Sequence, residues 1–394
     1  MSERPHISTD CAHAGEEPLA PGSTPSVMPI YQTSVYDFPD LDEVDEIFDH
    51  RKPGFIYGRY GLPNHAAFET IAAKLEEAEG AIASASGMAA IAVAFWTLIQ
   101  TGDEVLIAND CYGGTLGLAS RDFSRLGIAT RFVPTTKLAG LEEAISPRTK
   151  ILLVETLSNP VWNVIDVSAL AEMCHRKGIK LLVDNTVATP YLIRPLTLGA
   201  DVVLHSATKF LAGHHDITAG LIIGGREFIG RAREVQIRMG SSLAPFDAWL
   251  AVRSIKTFPL RMAQICSSAL AIAQFLANHR KVETVYYPGL PAHPQHEIVR
   301  RTMRGLGGGM LSFDLKGGTG SAENFVKRLR LIRFAPSFGG VMTTISHPAK
   351  TSHRSLTPAQ RAEAGISDTL LRLSIGIEEP EDIIEELERV LKEI

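Results

Sequence analysis

Short apolar segments alternate with helical segments through the middle of the chain. Between positions 102 and 225, six runs rich in β-branched and other apolar residues predict strands, and the segments between them have helical spacing. The predicted strands are Glu104–Ala108, Thr130–Val133, Lys150–Glu155, Lys180–Asp184, Val202–Ser206 and Ala219–Gly224. The middle runs are nearly all apolar, as strands buried on both faces are. The pattern predicts an α/β core built on a mostly parallel sheet.

The N-terminal part of the chain has a different pattern. Residues 1 to about 60 are rich in proline and glycine, and they contain one amphipathic segment, for which Asp40 can act as the helix cap. The apolar stripe of this predicted helix consists of Leu41, Val44, Ile47 and Phe48. The rest of residues 1 to about 60 has too few apolar side chains to form a packed core by itself. We therefore expect an arm that lies against a neighbouring subunit, which predicts an oligomer.

The C-terminal part begins with a long helical region. It starts after about Phe246, is interrupted at Pro259 and runs to about Asn278. Two apolar strands and a closing helix follow, at Met310–Leu315, Leu371–Ile375 and Pro380–Ile394. We therefore expect an arm over residues 1–60, a large domain over 61–250, and a smaller α/β domain over 251–394 that includes the connecting helical region.

The composition is that of a globular protein with a small partner. The chain has 394 residues, of which 45% are hydrophobic and 21% charged, and its formal net charge is −5. This balance gives no electrostatic reason to bind nucleic acid or an anionic membrane, because both favour clustered lysine and arginine. We expect a small-molecule partner, no nucleic acid and no membrane.

The chain carries no sequence signal for export, membrane insertion or metal binding. The longest apolar stretch, Ala89–Gln100, is shorter than the ~20 residues of a membrane helix and predicts a buried helix. The first residues, Met1–His6, lack the regions of a signal peptide, so we expect a cytoplasmic location. The scattered spacing of the cysteines predicts reduced thiols and no metal site. They are Cys11, Cys111, Cys174 and Cys266.

Polar residues follow two successive predicted strands, at the edge where ligands bind in α/β sheets. One strand ends in Asp184-Asn185-Thr186, and the next ends in Ser206-Ala207-Thr208-Lys209. An aspartate and a lysine at this edge suit pyridoxal phosphate, because lysine forms an imine with its aldehyde and aspartate keeps its ring nitrogen protonated. By spacing alone, a surface lysine and a helix-capping aspartate fit equally well.

A turn of small residues, Ser84–Ala90, opens the apolar helix and can bind a phosphate group. Free N–H groups and the helix dipole favour an anion there, and Gly87 permits close approach of the backbone. Small residues also open buried helices for packing reasons, so the turn alone is ambiguous. The hydroxyls of Ser206 and Thr208 add donors beside the candidate lysine. Together these features favour a phosphate-bearing cofactor.

An ordered set of motifs resembles the Cys/Met-metabolism (trans-sulfuration) family of pyridoxal-phosphate enzymes. This family includes cystathionine γ-lyases, γ-synthases and β-lyases, methionine γ-lyases and O-acylhomoserine sulfhydrylases. The resemblance covers almost the whole chain. Its motifs are Tyr57-Gly58-Arg59, Ser86-Gly87-Met88, Tyr112-Gly113-Gly114-Thr115, Glu155-Thr156-Leu157-Ser158-Asn159-Pro160, Asp184-Asn185-Thr186, Ser206-Ala207-Thr208-Lys209-Phe210, Ser337-Phe338-Gly339-Gly340, His347-Pro348-Ala349 and Arg372-Leu373-Ser374-Ile375-Gly376.

The resemblance implies the fold and the cofactor site. The fold would be that of a fold-type I pyridoxal-phosphate-dependent transferase. Lys209 would bind the cofactor covalently, Asp184 would pair with its ring nitrogen, and Tyr112 would stack on the ring and pass a proton during elimination. Further cofactor contacts would come from Ser86, Gly87, Met88, Thr186, Ser206 and Thr208, and, from a neighbouring subunit, Tyr57 and Arg59.

The resemblance also implies the substrate site and the assembly. Arg372, with Asn159 and Ser337, would bind the substrate carboxylate. The assembly would be a homotetramer of dimers that share active sites. The reaction would be γ-elimination or γ-replacement on a sulfur-containing or O-acylhomoserine-type amino acid, as in cystathionine γ-lyases and γ-synthases. Methionine γ-lyase or O-acylhomoserine sulfhydrylase activity, or β-elimination on cystathionine, are the alternatives. An aminotransferase or decarboxylase on the same fold and a non-catalytic homologue are rival classes.

Three residues depart from the family pattern and bear on the substrate. Pro336 stands where cystathionine enzymes commonly carry a glutamate for the distal amine of cystathionine. Met342 replaces a common acidic residue, and Gly114 stands where methionine γ-lyases typically have a cysteine. Because a desolvated ammonium without a partner is costly, a substrate with an uncharged distal group is favoured over cystathionine.

Overall fold

In the computed structural model, the described residues are 6–15, 25–49, 51–135, 138–354 and 356–394. Most of Met1–His6 and part of the expected arm, residues 16–24 and 50, lie outside these ranges.

A seven-stranded sheet lies at the centre of the molecule, with the strand order β1-β7-β6-β5-β4-β2-β3. Its strands are β1 (Gly80–Ser84), β2 (Glu104–Ala108), β3 (Ala129–Val133), β4 (Thr149–Glu155), β5 (Lys180–Asp184), β6 (Val202–Ser206) and β7 (Gly220–Gly224). The strands from β3 to β6 are parallel, whereas β7 is antiparallel to both β6 and β1. The prediction of a mostly parallel sheet is confirmed, and each predicted strand forms within one residue of its expected ends.

Strand β1 is not among the strands predicted from the sequence. Its sequence, Gly80–Ser84, consists mainly of small residues with little strand propensity. Small residues are needed where this sheet edge meets the turn after β1, because a Cβ on Gly220 would lie 2.1 Å from the carbonyl oxygen of Ser86. Close backbone packing therefore explains the glycine at position 220, in the strand β7 that pairs with β1.

A second sheet has five strands in the order β10-β11-β12-β9-β8. They are β8 (Val282–Tyr286), β9 (Met310–Leu315), β10 (Arg333–Phe334), β11 (Thr344–Ser346) and β12 (Leu370–Ser374). Strands β9 and β12 are fully buried, as their apolar sequences predict. The domain boundaries at 60 and 250 stay predictions.

The helices pack around the two sheets. They are α1 (Ile7–Ala12), α2 (Leu41–Phe48), α3 (Pro63–Glu76), α4 (Gly87–Leu98), α5 (Gly113–Gly117), α6 (Leu138–Ala144), α7 (Val167–Arg176), α8 (Thr189–Leu192), α9 (Arg226–Met239), α10 (Pro245–Ile255), α11 (Phe258–Ala277), α12 (His296–Thr302), α13 (Thr319–Arg328), α14 (Pro358–Glu363) and α15 (Pro380–Glu393). A π-helical segment, Leu118–Phe123, and two 3₁₀ turns, Pro195–Leu198 and Pro348–Lys350, complete the regular structure.

Helix α11 links the two halves of the molecule. The helical region is interrupted just before α11, and Pro259 occupies the first turn of α11, where proline is tolerated. By length and composition alone this helix could cross a membrane, but half of its most apolar 18-residue segment is buried inside the protein. It packs against α1, α15, β8 and β9, so it is a core helix of the fold.

The described part of the arm leaves apolar side chains uncovered. Helix α2 forms as predicted, and the carboxylate of Asp40 accepts the N–H of Glu43. Of its apolar stripe, Ile47 is buried, whereas Leu41 is 82% exposed and Phe48 is 50% exposed. The stripe therefore finds only part of its packing within this chain.

Candidate active site

A cleft of about 240 Å³ opens at the carboxyl ends of β4, β5 and β6, beneath the second sheet. It brings together most of the residues singled out from the sequence, although they are spread between positions 86 and 372. They are Ser86, Gly87, Met88, Tyr112, Asn159, Asp184, Thr186, Ser206, Thr208, Lys209 and Arg372. Ser337 joins them through its contact with Lys209, described below.

Two carboxyl groups lie side by side at the base of the cleft. Asp184 ends β5, and Glu155 ends the adjacent strand β4 in direct register with it. The N–H of Thr186 donates to Asp184 Oδ1 at 2.9 Å, and the N–H of Tyr112 donates to Glu155 Oε1 at 2.6 Å. Burial raises the pKa of Asp184, and burial followed by the charge of Asp184 raises the pKa of Glu155 well above its usual range. A cationic ligand group beside this pair would stabilise its ionised form.

The N-terminus of α4 forms one wall of the cleft. Ser86 caps the helix by accepting the N–H of Ala89 at 3.1 Å. Gly87 and Met88, in the first turn of the helix, line the cleft, and their N–H groups have no intrahelical acceptor. A Cβ on Gly87 would lie 2.8 Å from the Cβ of Ser206, so only glycine fits between the helix and β6. The predicted phosphate turn is therefore tightly packed against a hydroxyl-bearing strand end.

Two threonine hydroxyls near this wall are already engaged. Thr186 Oγ1 accepts the N–H of Ser206 at 2.7 Å. Thr208 Oγ1 accepts the N–H of Ala219 at 3.0 Å and lies 3.3 Å from its carbonyl oxygen. Both residues line the cleft. The Thr186 bond joins the loop after β5 to the end of β6, and the Thr208 bonds join the turn after β6 to the residue before β7.

Lys209 projects into the cleft from the turn after β6. Its Nζ donates to Ser337 Oγ at 2.9 Å and lies 4.9 Å from the centre of the Phe338 ring. Burial, and then the positive charge of Arg372, lower the pKa of the Lys209 amine. A larger fraction of this amine is therefore neutral than in an exposed lysine, and the neutral form is the nucleophile.

Arg372 faces the cleft from β12 and is 2% exposed. Its Nη1 donates to Asn159 Oδ1 at 3.1 Å and its Nη2 to the carbonyl oxygen of Ser337 at 3.3 Å, while its buried Nε has no hydrogen-bond partner. Burial lowers the pKa of this guanidinium to about 10. Among the described residues no carboxylate forms an ion pair with Arg372, so its guanidinium can donate two hydrogen bonds to the carboxylate of a ligand.

Tyr112 stands at the mouth of the cleft and is 54% exposed. Its ring lies over Gly114, where an added Cβ would be 2.5 Å from Tyr112 Cε1 and 3.1 Å from Met88 Sδ. A cysteine at this position would displace the ring. The absence of a side chain at position 114 thus leaves room for the ring of Tyr112.

A buried relay joins the Asn159 loop to the strand beside Arg372. The indole N–H of Trp162 donates to Ser312 Oγ at 3.0 Å, and the Ser312 hydroxyl donates to the Pro160 carbonyl oxygen at 2.7 Å. Ser312 on β9 pairs directly with Arg372 on β12. The relay therefore sets the distance between Asn159 and Arg372.

Other residues discussed from the sequence, among them Tyr57, lie outside the cleft or at its rim. Arg59 donates to the carbonyl oxygen of Ile237 at 2.7 Å, stacks near the Tyr57 ring and is not in the cleft of its own chain. Met342 is exposed outside the cleft. Pro336 lines it, and the only acids among the described lining residues are Glu155 and Asp184 at the opposite, basal side.

Several contributors escape motif-based reasoning. Glu155 and Phe338 stand in recognised motifs, but only the structure puts the Glu155 carboxyl beside Asp184 and the Phe338 ring beside Lys209. The hydroxyl of Ser374 accepts the N–H of Gly339 at 2.9 Å and so anchors the loop that carries Ser337. Its position two residues after Arg372, on the same face of the strand, is the available sequence signal.

The residues present fit pyridoxal phosphate and an amino acid. The glycine-lined helix N-terminus suits a phosphate, and the carboxyl pair suits a protonated ring nitrogen. The Arg372 guanidinium, whose Nε has no hydrogen-bond partner, suits a carboxylate. An α/β sheet with a half-buried lysine among these groups defines the class of cofactor-dependent amino-acid enzymes.

Comparisons with known proteins identify the family. The model of the family described as "Cys/Met metabolism PLP-dependent enzyme" matches residues 8–392. An L-methionine gamma-lyase of Fusobacterium nucleatum subsp. polymorphum is 40% identical over 391 residues, which cover 98% of each chain. An O-succinylhomoserine sulfhydrylase of Pseudomonas aeruginosa is 41% identical over 362 residues, 92% of this chain and 90% of the relative.

A solved structure agrees with this. The crystal structure of cystathionine gamma-lyase from Lactobacillus plantarum, complexed with L-serine, superposes with a TM-score of 0.91 at 36% identity and covers 98% of both chains. The chain belongs to the Cys/Met metabolism family of pyridoxal-phosphate-dependent enzymes. Its fold is therefore fold-type I, its cofactor is pyridoxal 5'-phosphate and its substrate is an amino acid, as the sequence resemblance implies.

Proposed function

We propose that this enzyme eliminates or replaces the γ-substituent of an amino acid whose distal group is uncharged, such as methionine, homocysteine or an O-acylhomoserine. The charge distribution of the cleft carries the proposal. Among the described residues that line the cleft, the acids lie at its base, and the rim beside Lys209 presents Pro336 and Phe338. An apolar rim accepts a thioether or an ester, whereas the distal ammonium of cystathionine would lose its hydration without gaining a partner from this chain.

The cofactor would be held by the residues that the sequence and the geometry single out together. The N–H groups of Gly87 and Met88 and the hydroxyl of Ser206 would bind its phosphate, and Asp184 would hold the proton on its ring nitrogen. When bound, the cofactor supplies an electron sink that stabilises negative charge at Cα and Cβ of the substrate. Lys209 would be its covalent anchor.

The remaining steps belong to side chains of this chain. Arg372, oriented by Asn159 and the Ser337 carbonyl, would bind the substrate carboxylate and fix the direction of the Cα–H bond. The Lys209 amine, with its lowered pKa, would remove the Cα proton. Ser337, which hydrogen-bonds to Lys209 Nζ, would orient the amine for this transfer.

Tyr112 is placed near the proposed position of the departing γ-substituent. Its ring stands at the open end of the cleft over Gly114, and its backbone N–H is fixed by Glu155. The hydroxyl would give a proton to the γ-substituent as the substituent leaves. Solvent reaches the same end of the cleft, so either water or a second thiol can enter after departure.

The uncovered arm supports an assembly in which neighbouring chains complete each other's sites. Tyr57 and Arg59 lie outside their own cleft, and Val27, Val35 and Leu41 are exposed. Apolar side chains left in this way are typical of subunit contacts. The proposed assembly is a homotetramer of dimers, in which Tyr57 and Arg59 reach the phosphate of the neighbouring subunit; the proposed location is the cytoplasm.

A substrate panel tests the proposed function. Purified enzyme would be incubated with L-methionine, L-homocysteine, O-acetyl-L-homoserine and L-cystathionine, following thiol, ammonia and 2-oxo acid together. We expect a higher kcat/KM for the uncharged distal groups than for cystathionine. Product formation in the presence and absence of an added thiol separates replacement from elimination. A strong preference for cystathionine would contradict the proposal.

The variant Pro336→Glu provides the matched test of the charge argument. A carboxylate at this rim position would pair with a distal ammonium, so kcat/KM for cystathionine should rise by about tenfold relative to methionine. Met342→Glu is the control, because Met342 lies outside the cleft. Equal effects of the two variants would show that rim charge does not set the preference.

A further inference from the structure

Arg261 lies in the first turn of α11, behind the turn that carries Lys209, and is 5% exposed. Its guanidinium donates to three backbone carbonyl oxygens. Nη1 donates to Phe210 at 2.7 Å, and Nη2 donates to Leu211 at 3.0 Å and to Ser254 at 3.0 Å. Two of the three acceptors are therefore the residues that immediately follow Lys209.

This guanidinium is a buried cation without an acidic partner. Among the described residues no carboxylate forms an ion pair with it, and burial lowers its pKa to about 10. The contrast is Arg233, whose guanidinium makes two hydrogen bonds to the carboxylate of Glu69, at 2.8 and 2.6 Å. Besides a longer contact of Nε with Thr257 Oγ1 at 3.4 Å, the hydrogen bonds of this guanidinium all go to backbone carbonyl groups. A buried charge bound in this way is most readily explained by what those carbonyls hold in place.

The segment from Ala207 to Gly213 forms a tight turn. The N–H of Ala212 donates to Ala207, and the N–H of Gly213 donates to Lys209 at 2.8 Å. As at the end of any helical turn, the last carbonyl groups need an external donor, and Arg261 supplies it. Gly213 has a φ of +72°, and a Cβ there would lie 2.0 Å from Arg261 Nη1, so glycine makes the approach possible.

The opposite side of the same turn is also closely packed. A Cβ on Gly339 would lie 2.7 Å from the N atom of Phe210 and 2.9 Å from the carbonyl carbon of Lys209. Lys209 is therefore held between α11 and the loop that carries Ser337. Loss of the Arg261 contacts would leave the turn without its hydrogen bonds to α11, while its close packing against the loop that carries Ser337 would remain.

We propose that Arg261 is a positioning residue for the cofactor lysine, acting through the backbone carbonyls of Phe210 and Leu211. The proposal rests on the proposed role of Lys209. Arg261 touches neither cofactor nor substrate, so its contribution lies in the direction in which the Lys209 side chain leaves the turn. A displacement of about 1 Å at a reacting amine is enough to reduce the rate about a hundredfold.

The test compares Arg261→Met, Arg261→Lys and the control Arg233→Met. For each holoenzyme and apoenzyme, the measurements are the thermal unfolding temperature, the dissociation constant of pyridoxal phosphate, and the pH titration of the visible absorption of the lysine-bound cofactor. Wild type and Lys209→Ala are run in parallel. If wild type binds the cofactor but Lys209→Ala leaves the absorption unchanged, the role of Lys209 fails, and that result is distinct from any result on Arg261.

For Arg261→Met we expect a cofactor dissociation constant at least about tenfold higher than in wild type, with a shifted absorption titration, because buried carbonyls lose their donors. Arg261→Lys should restore part of the cofactor affinity and part of the absorption titration, since lysine keeps the charge but donates from a single nitrogen. Arg233→Met should lower the unfolding temperature while leaving cofactor affinity and absorption unchanged.

The proposal is overturned if Arg261→Met lowers only the unfolding temperature, as the control does. Should Arg261→Met fail to fold, Arg261→Lys decides the question. Wild-type cofactor affinity and an unshifted titration in Arg261→Lys would then overturn the proposal, and a weaker affinity with a shifted titration would support it.

Discussion

The two sides of the cleft carry opposite charges and come from different parts of the fold. The acidic side consists of Glu155 and Asp184, at the ends of adjacent strands of the larger sheet. The basic side consists of Arg372 on the second sheet and Lys209 on the turn that the second sheet covers. Burial acts on both sides against charge. It raises the pKa values of the two acids and lowers those of the two bases.

This separation of charge indicates which ligand the cleft binds. Neither side neutralises the other in the described residues, where no ion pair joins an acid of the acidic side to Lys209 or Arg372. A ligand with a protonated ring at one end and a carboxylate at the other would restore the charged state of both sides. Pyridoxal phosphate joined to an amino acid has this pattern, so the charge separation itself selects the complex.

The largest expected effect comes from the acidic side. Asp184→Asn keeps the size of the side chain but removes the charge proposed to hold the ring proton, so kcat should fall by about 10²–10⁴-fold. Glu155→Gln is the matched control, because its amide oxygen can still accept the N–H of Tyr112. Steady-state kinetics measure both. Equal losses in the two variants would contradict the assignment of the ring contact to Asp184.

On the basic side, Arg372→Lys should act mainly on KM. Lysine keeps the charge but cannot offer the planar fork, so KM should rise by about tenfold to a hundredfold, with a smaller change in kcat. Initial rates over a range of substrate concentrations separate the two constants. An unchanged KM would place the substrate carboxylate elsewhere.

Coupling within the basic side appears in the pH dependence of cofactor uptake. Burial and then the charge of Arg372 lower the pKa of Lys209. Removing that charge in Arg372→Gln raises the pKa of Lys209, so less neutral amine is present at a given pH. The rate at which apoenzyme takes up pyridoxal phosphate should therefore shift to higher pH, as stopped-flow absorption would show. A shift to lower pH would contradict the coupling.

The smallest expected effect concerns the relay behind the basic side. Ser312→Ala removes the contact that holds the Asn159 loop against β9, and KM should rise by about threefold to tenfold, equivalent to about 1 kcal/mol. Ser346→Ala is the control, because Ser346 pairs with Arg372 from the other neighbouring strand and its buried hydroxyl has no hydrogen-bond partner. A larger KM change in Ser346→Ala would refute the relay.

The polar residues that follow the strands are easier to predict from sequence than the contacts that support the basic side. Buried parallel strands leave nearly continuous apolar runs, and the polar residues that follow them mark the cleft, as Asp184 and Lys209 do. The contacts that support Lys209 and Arg372 join distant segments. Arg261 acts 50 residues from Leu211, and Trp162 acts 150 residues from Ser312. No local pattern marks such pairs, because the fold alone brings them together.

The apolar rim and the arm show the same limit. The sequence identifies Pro336 as a departure from the family pattern, and the structure places it at the cleft. Tyr57 and Arg59 have a motif but lie outside the cleft of their own chain, and the proposed site that they complete is that of a neighbouring subunit. Their role stays a prediction.

The most direct test of the central claim is the location of the cofactor on the chain. Purified holoenzyme would be reduced with borohydride, which fixes pyridoxal phosphate to its lysine, then digested and analysed by mass spectrometry. We expect the added mass on Lys209, the one lysine that lines the cleft among the described residues. Attachment at another lysine, or no attachment in protein that carries the cofactor, would contradict the account.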